Sequence, residues 1–187
     1  MENFLPLLNK FPTTSDEAKA AFARHLEEFV VEKGFLLERE GQVSKYLYFV
    51  AEGSARSYYI RDNRDITVSF TLDEEFVTAM HSFITRKPSY ENIETMEKSR
   101  VFKISHDDLQ TSFMEFPELE HAYRLILEQY YIVLEEHQIF NKFKTARERY
   151  LELMQYRPKV IHKASVGQIA SFLDMTIETL SRIRARV

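Results

Sequence analysis

Residues 165–182 read Ser165-Val166-Gly167-Gln168-Ile169-Ala170-Ser171-Phe172-Leu173-Asp174-Met175-Thr176-Ile177-Glu178-Thr179-Leu180-Ser181-Arg182. Ser165-x-x-Gln168 has the form of a capping box, so a helix is expected to start at Val166. Ile169, Ala170 and Leu173 are its inward positions, and the small Ala170 lets a second helix come close. Asp174 falls where the chain must turn sharply, and Asp tolerates the left-handed backbone better than most residues. Thr176 then caps the next helix. With Glu178 set at 0°, Ser181 falls at about −60° and Arg182 at about +40°, while Leu180 and Ile183 fall at about 200° and 140°. Three polar residues share one face near the N-terminus, and two aliphatic residues share the opposite face. A helix-turn-helix needs this: the apolar side docks on the first helix, and the polar side enters the major groove.

Glu178 can accept from cytosine N4, and Arg182 can donate to guanine O6 and N7, so Glu178, Ser181 and Arg182 are the expected base contacts. Lys163, Thr176, Arg184 and Arg186 are the expected phosphate contacts. The bland alternative is a hairpin that merely packs, with Glu178 and Arg182 as an i, i+4 surface ion pair of ~0.2–0.5 kcal/mol. The residues after Arg182 leave no room for a two-stranded wing, so support behind the second helix is expected to be thin.

Charge points the same way. The 187-residue chain carries a net −4. Residues 142–187 hold ten Lys and Arg against four acids, a local +6, which leaves −10 for residues 1–141. An acidic body with a basic tail suits a polyanion partner at the C-terminal end. A solvated basic face would give the same count. Cysteine is absent, which excludes disulfides, thiolate metal sites and iron–sulfur clusters. The six His residues form no pair at metal-ligand spacing, so no metal is expected. Met1-Glu2-Asn3-Phe4 lacks the basic-then-apolar pattern of a signal peptide. No apolar run approaches the ~20 residues that span a bilayer, so no membrane partner and a cytoplasmic location are expected.

Upstream, residues 145–156 form a helix that Arg157-Pro158 ends. Pro117 opens a longer one. Leu119, Tyr123, Ile126, Tyr130, Val133, His137 and Phe140 recur at steps of 3 and 4. That seam needs a partner, either the barrel or the same helix of a second chain, and a two-fold dimer is the commonest oligomer. The dimer seam is therefore placed on Tyr123, Ile126, Tyr130, Val133 and His137, with His137 as packing rather than a ligand. Ser105-x-x-Asp108 starts a shorter helix. Between Gly34 and Ile104 lie short runs rich in aromatic and β-branched residues, at 46–50, 55–60, 66–70 and 101–104. Turn chemistry separates them at Glu40-Gly41, Glu52-Gly53, Asp62-Asn63 and Leu72-Asp73. Such spacing suggests an antiparallel barrel or jelly roll. Residues 16–31 read as an amphipathic helix through Ala18, Phe22, Leu26, Phe29 and Val30.

The run from Val166 to Arg182, above all Glu178-Thr179-Leu180-Ser181-Arg182, resembles the C-terminus of Crp/Fnr-type bacterial regulators. Gly34, Gly41, Leu47-Tyr48-Phe49-Val50 and Gly53 follow the family's cyclic-nucleotide-binding jelly roll. Residues 116–144 correspond to its long dimer helix. The resemblance implies base contacts by Glu178, Ser181 and Arg182 at a TTGAT-type half-site. Where the family has a turn glycine, this chain has Asp174.

One region departs from the pattern. Cyclic-nucleotide-binding members carry a phosphate cassette of F-G-E type followed by an Arg-Ser or Arg-Thr pair. Here the residues are Phe76-Val77-Thr78-Ala79-Met80 and Arg86-Lys87-Pro88-Ser89-Tyr90, with Thr78 for the Gly, Ala79 for the Glu, and Ser89 near the Arg position. A buried phosphate needs a cation and donors, so cyclic AMP binding in the family manner is not expected. Tyr58, Phe70, Phe76, Met80, Ser89 and Tyr90 are candidates to line a pocket for another effector, or are simply barrel core.

The sequence thus predicts an α+β chain in three parts: a jelly-roll sensor over 1–115, a dimerisation helix over 116–144 and a helix-turn-helix over 145–187. The expected function is a homodimeric transcription regulator on a near-palindromic operator. Double-stranded DNA, a second copy, an unknown small-molecule effector and, for an activator, RNA polymerase are its partners. No cofactor and no enzymatic activity are expected. A jelly-roll module without DNA binding is one alternative. A cupin-type enzyme is another, but it needs clustered His and Glu ligands, and the barrel segment holds only His81.

Overall fold

The computed structural model describes residues 5–186. Residues 1–4, read above for a signal peptide, and Val187 lie outside them, as do the side chains of residues 5, 140 and 141. Phe140 of the expected seam is among these.

Two short helices, α1 (Leu5–Leu8) and α2 (Asp16–Arg24), precede eight strands. These are β1 (Glu27–Val31), β2 (Leu36–Glu38), β3 (Tyr46–Glu52), β4 (Ala55–Arg61), β5 (Arg64–Thr71), β6 (Glu75–Val77), β7 (Asn92–Thr95) and β8 (Ser99–Ser105). A helix α3 (Met80–Thr85) sits between β6 and β7. The strands form two four-stranded antiparallel sheets, ordered β1-β8-β3-β6 and β2-β7-β4-β5. This is the expected jelly-roll-like sandwich.

The sequence signals explain the strands that were foreseen. In β3, Tyr48 and Val50 point into the sandwich, while Leu47, Phe49 and Ala51 meet a helical layer on the other side. A strand covered on both faces reads as a continuous apolar run. Between β4 and β5, Arg61 pairs with Arg64 across Asp62 and Asn63. Both loop residues have positive φ, 51° and 59°, the requirement of a two-residue hairpin loop.

The expected helix over 16–31 is corrected. Ser15 caps α2, which ends at Arg24. Phe29-Val30-Val31 then belongs to β1, paired with β8 from Glu27↔Lys103 to Val31↔Ser99. The β-branched run is satisfied by a partner strand about seventy residues away, which helical periodicity alone does not register.

The second half is helical: α4 (His106–Glu115), α5 (Pro117–Phe143), α6 (Ala146–Tyr156), α7 (Pro158–Lys163), α8 (Val166–Phe172) and α9 (Ile177–Arg184). Pro158 does end α6 as expected, but it also opens α7, since Pro suits a first helical position. Three cores result. One lies between the β1-β8-β3-β6 sheet and helices α1, α2, α4 and the start of α5. The second fills the sandwich. The third joins Phe70 of the other sheet and Met96 of the β7–β8 turn to α6–α9. Among the described residues, no helix is long and apolar enough to cross a membrane.

Candidate nucleic-acid interface and effector site

The α8–α9 pair is fixed by local chemistry. The Gln168 amide donates to Ser165 Oγ at 3.2 Å and the Ser165 amide to the Gln168 side chain at 2.8 Å. Asp174 adopts the left-handed conformation, with φ 50°. The Met175 amide donates to the Ala170 carbonyl, and the Arg149 guanidinium donates to the Asp174 carbonyl at 3.3 Å. The Thr179 amide then donates to Thr176 Oγ1, so Thr176 is the cap of α9. Ile169, Ala170, Leu173 and a fully buried Leu180 close the pair against Tyr150, Leu153 and Val160. Burying a Leu side chain contributes about 1.5–3 kcal/mol.

Glu178, Ser181 and Arg182 stand on the opposite, exposed side. Arg182 donates to Thr179 Oγ1 at 3.2 Å. Hydrogen bonds from its own backbone amide and from Thr176, with the Arg182 charge behind them, hold the Glu178 carboxyl below its ordinary range. Glu178 is therefore an acceptor only at neutral pH. Arg184 and Arg186 are also exposed.

Lys163 is placed otherwise than expected. Its ammonium lies 2.6 Å from Glu97 of the β7–β8 turn. Two neighbours do the same: Lys159 pairs with Asp73 at 2.5 Å, and Arg157 donates both to Glu75 Oε1 and Oε2. The acidic rim of the sandwich thus takes up the basic side chains around α7. Phe70 packs edge-on against Phe172, and the Thr67 amide donates to Ser171 Oγ. The helical unit is docked on its own sandwich.

The α5 seam divides. Tyr123 packs against Phe113, and Ile126 joins the helical-layer core. Tyr130 Oη donates to the Phe76 carbonyl at 2.8 Å, and burial pushes this phenol up to about 12. His137 stacks on Phe172, and burial lowers its pKa. These four side chains meet their own chain. Val133 is exposed, as are Tyr131 (66%), Ile132 and Leu134 (65%). Around 130–134 the helix is apolar on nearly every side, and the uncovered strip includes Val133 of the expected seam and widens it to Tyr131, Ile132 and Leu134.

The expected effector pocket is corrected. Phe70 faces outward to Phe172. Phe76 packs on Phe49 and Phe11 in the helical layer. Tyr58 lies under the Arg56 guanidinium, 4.0 Å from its ring centroid, on the same face as Phe70. Tyr90 is exposed against His81. Only Ser89, buried and bonded to the Glu91 backbone, and the half-buried Met80 stay near the cassette region. The aromatics were misplaced because strand parity and the bulge at Ser57/Tyr58 in the β4–β5 pairing are invisible without the partner strand.

Inside the cassette region the structure places groups that sequence reasoning missed. Glu38 is only 6% exposed. Its Oε1 lies 2.5 Å from Ser44 Oγ, which lies 2.9 Å from Thr78 Oγ1. Glu91 is close by and repels it, while burial is the main cause that raises the Glu38 pKa to about 7. The Glu91 carboxyl is itself raised by burial. Arg86 donates to the Ser44 and Phe83 carbonyls. Arg86 is thus committed to backbone, and the two acidic side chains lie close enough to repel each other. The sequence signal was faint: one Glu ending the run Phe35-Leu36-Leu37-Glu38.

Residues 28–116 match the family model of the cyclic nucleotide-binding domain. No curated protein matches the sequence. A putative Crp/Fnr-family transcriptional regulator from Eubacterium rectale superposes with a TM-score of 0.73 at 18% identity, over 98% of this chain and 87% of the other. CLP of Xanthomonas campestris, a c-di-GMP responsive global regulator, gives 0.72 at 18% identity over 92% and 91%. FixK2 from Bradyrhizobium japonicum gives 0.69 at 21% over 86% and 83%. At such identities the likeness establishes the fold: a β-sandwich that matches the cyclic nucleotide-binding domain, a long helix and a C-terminal helical unit, arranged as in Crp/Fnr-family regulators.

Proposed function

We propose that this chain is a DNA-binding transcription regulator of Crp/Fnr type, acting as a cytoplasmic homodimer on a near-palindromic operator, and not an enzyme. The observation that carries the reading is the split of α9: Leu180 is fully buried, while Glu178, Ser181 and Arg182 are exposed together. α8 and α9 serve as the helix-turn-helix. Glu178, Ser181 and Arg182 read bases, and Thr176, Arg184 and Arg186 approach phosphates. Lys163 joins them only after leaving Glu97.

The exposed strip Tyr131, Ile132, Val133 and Leu134 supports a second copy along α5, because a helix apolar all round is one that is buried. Two-fold symmetry sets the recognition helices about 34–36 Å apart on DNA. The effector is read as other than cyclic AMP: the cassette region holds two acidic side chains, the buried Glu38 and the half-buried Glu91, and its cation Arg86 is engaged with backbone carbonyls. RNA polymerase is a partner if the chain activates.

The test is a gel shift with a palindromic TTGAT-type duplex, wild type against Arg182→Ala. Wild type is expected to bind and the variant to lose most of its specific complex. Equal binding by both at moderate salt would reject the role given to Arg182.

A further inference from the structure

The polar chain in the cassette region has one more oxygen–oxygen contact at hydrogen-bond distance than its two hydroxyls have hydrogens. Three oxygen–oxygen links run in series: Glu38 Oε1 to Ser44 Oγ at 2.5 Å, Ser44 Oγ to Thr78 Oγ1 at 2.9 Å, and Thr78 Oγ1 to the Tyr46 carbonyl at 2.9 Å. Each hydroxyl has one hydrogen, so Ser44 and Thr78 supply two. The Tyr46 carbonyl supplies none. A protonated Glu38 carboxyl supplies the third. With it, every link has a donor: Glu38 to Ser44, Ser44 to Thr78, Thr78 to Tyr46. Without it, Ser44 turns to the carboxylate, and Thr78 can serve Ser44 or Tyr46 but not both.

The chain sits at the root of α3. Thr78 lies two residues before the helix. Ser82, within it, accepts from the Ser44 amide at 2.9 Å and donates to the Lys87 carbonyl. Arg86, which ends it, donates to the Ser44 carbonyl at 2.7 Å. Ser44 therefore ties Glu38 to both ends of the segment 78–86. The groups facing Glu38 are Glu91 and Tyr48, which with burial disfavour its anion or are disfavoured by it, and Ser44 Oγ and Arg86, which favour the anion. Tyr48 Oη donates to the Leu37 carbonyl and not to Glu38.

We propose that Glu38 is a proton-sensing group built into the sandwich: its carboxyl hydrogen completes the chain to Tyr46, and its loss loosens α3 and the segment leading into it. The reaction is a simple proton exchange with solvent, with no further co-reactant. A carboxyl raised to about 7 by burial gives up that proton within the physiological range.

The experiment is amide hydrogen exchange of residues 78–86 in the full chain between pH 6 and pH 8, normalised for intrinsic rates. Wild-type protection is expected to fall by about tenfold, the ratio that follows when ionisation centred near 7 opposes closure. Glu38→Gln keeps a donor toward Ser44 and is expected to stay protected at both pH values. Unchanged wild-type protection, or the same fall in Glu38→Gln, overturns the proposal. A carbon-13 titration of Glu-labelled protein assigns the group: a carboxyl titrating near 7 that is lost in Glu38→Gln supports it, and its persistence in the variant, or all wild-type Glu carboxyls titrating below about 6, overturns it. Neither readout involves DNA, so the proposal fails separately from the reading of α9.

Discussion

The bonds that set the α8–α9 pair span three residues: Ser165 to Gln168 and Thr176 to Thr179. In the cassette region the defining bonds span 34, 38 and 42 residues, from Ser44 to Thr78, Ser82 and Arg86. The first region is a local object and the second a product of topology. A local object tolerates change at its surface and fails at its docking face. A topological one fails wherever two distant backbones approach, and it stores polar groups that pay off only when paired. This difference sets the size of the effects expected in each.

The largest effect belongs to the sandwich. Gly53 has φ 113°, and a Cβ there would sit 2.2 Å from Ser99 Oγ and 2.8 Å from Ser99 Cα. The obstacle includes backbone on another strand, so nothing flexible can yield. Gly53→Ala combines left-handed strain with overpacking and is expected to cost about 3–5 kcal/mol, read by urea melting. A cost under about 1 kcal/mol would mean that the β3–β4 turn slides freely, against the close approach described here.

Next comes the buried carboxyl. The Glu38 pKa is raised from 4.5 to about 7 on folding, so the folded chain holds more protons in between. Its stabilising contribution is fully present below 4.5 and is lost as pH rises through 7. Relative to Glu38→Gln, wild type should lose about 3 kcal/mol of stability between pH 4.5 and pH 8. Parallel stability–pH curves for the two proteins would break the contrast between a buried polar chain and a surface one.

At the recognition end the effects concern binding more than folding. Arg182→Ala should cost about 1–3 kcal/mol of specific affinity and relax discrimination at one base. Lys163→Ala should leave affinity within about twofold, since a surface pair such as Lys163–Glu97 contributes little either way. If Lys163→Ala weakens binding as much as Arg182→Ala, α7 leaves the sandwich on DNA.

The same division explains what the sequence disclosed. The caps at Ser105, Ser165 and Thr176, the left-handed Asp174 and the exposed face of α9 all follow from residues three or four apart. The run 46–50 was legible because β3 is buried on both sides. By contrast, β1 was read as helix, since Phe29 and Val30 also fit a helical period and their partner strand was out of sight. Phe70 and Phe76 were read as pocket and lie outside it, because parity depends on register. Glu38 carries only a faint local mark, an acid closing an apolar run. Its meaning arises only when Ser44 and Thr78 arrive from other parts of the chain.

The smallest effect tests whether the local object is as self-sufficient as its geometry implies. Relatives by resemblance carry glycine where this chain has Asp174. Glycine would relieve the left-handed backbone, but it would also raise the entropy lost on folding by about 0.5–1 kcal/mol. Asp is among the few side chains that accept this conformation, so the relief is small and the two terms nearly cancel. The Arg149 bond goes to the Asp174 carbonyl, which glycine retains. Asp174→Gly is therefore expected to change stability by no more than about 0.5 kcal/mol and to leave operator binding unaltered. A clear loss of binding with stability unchanged would instead assign the Asp174 carboxylate a part in presenting α9, and the turn would then be more than a hinge between two self-capped helices.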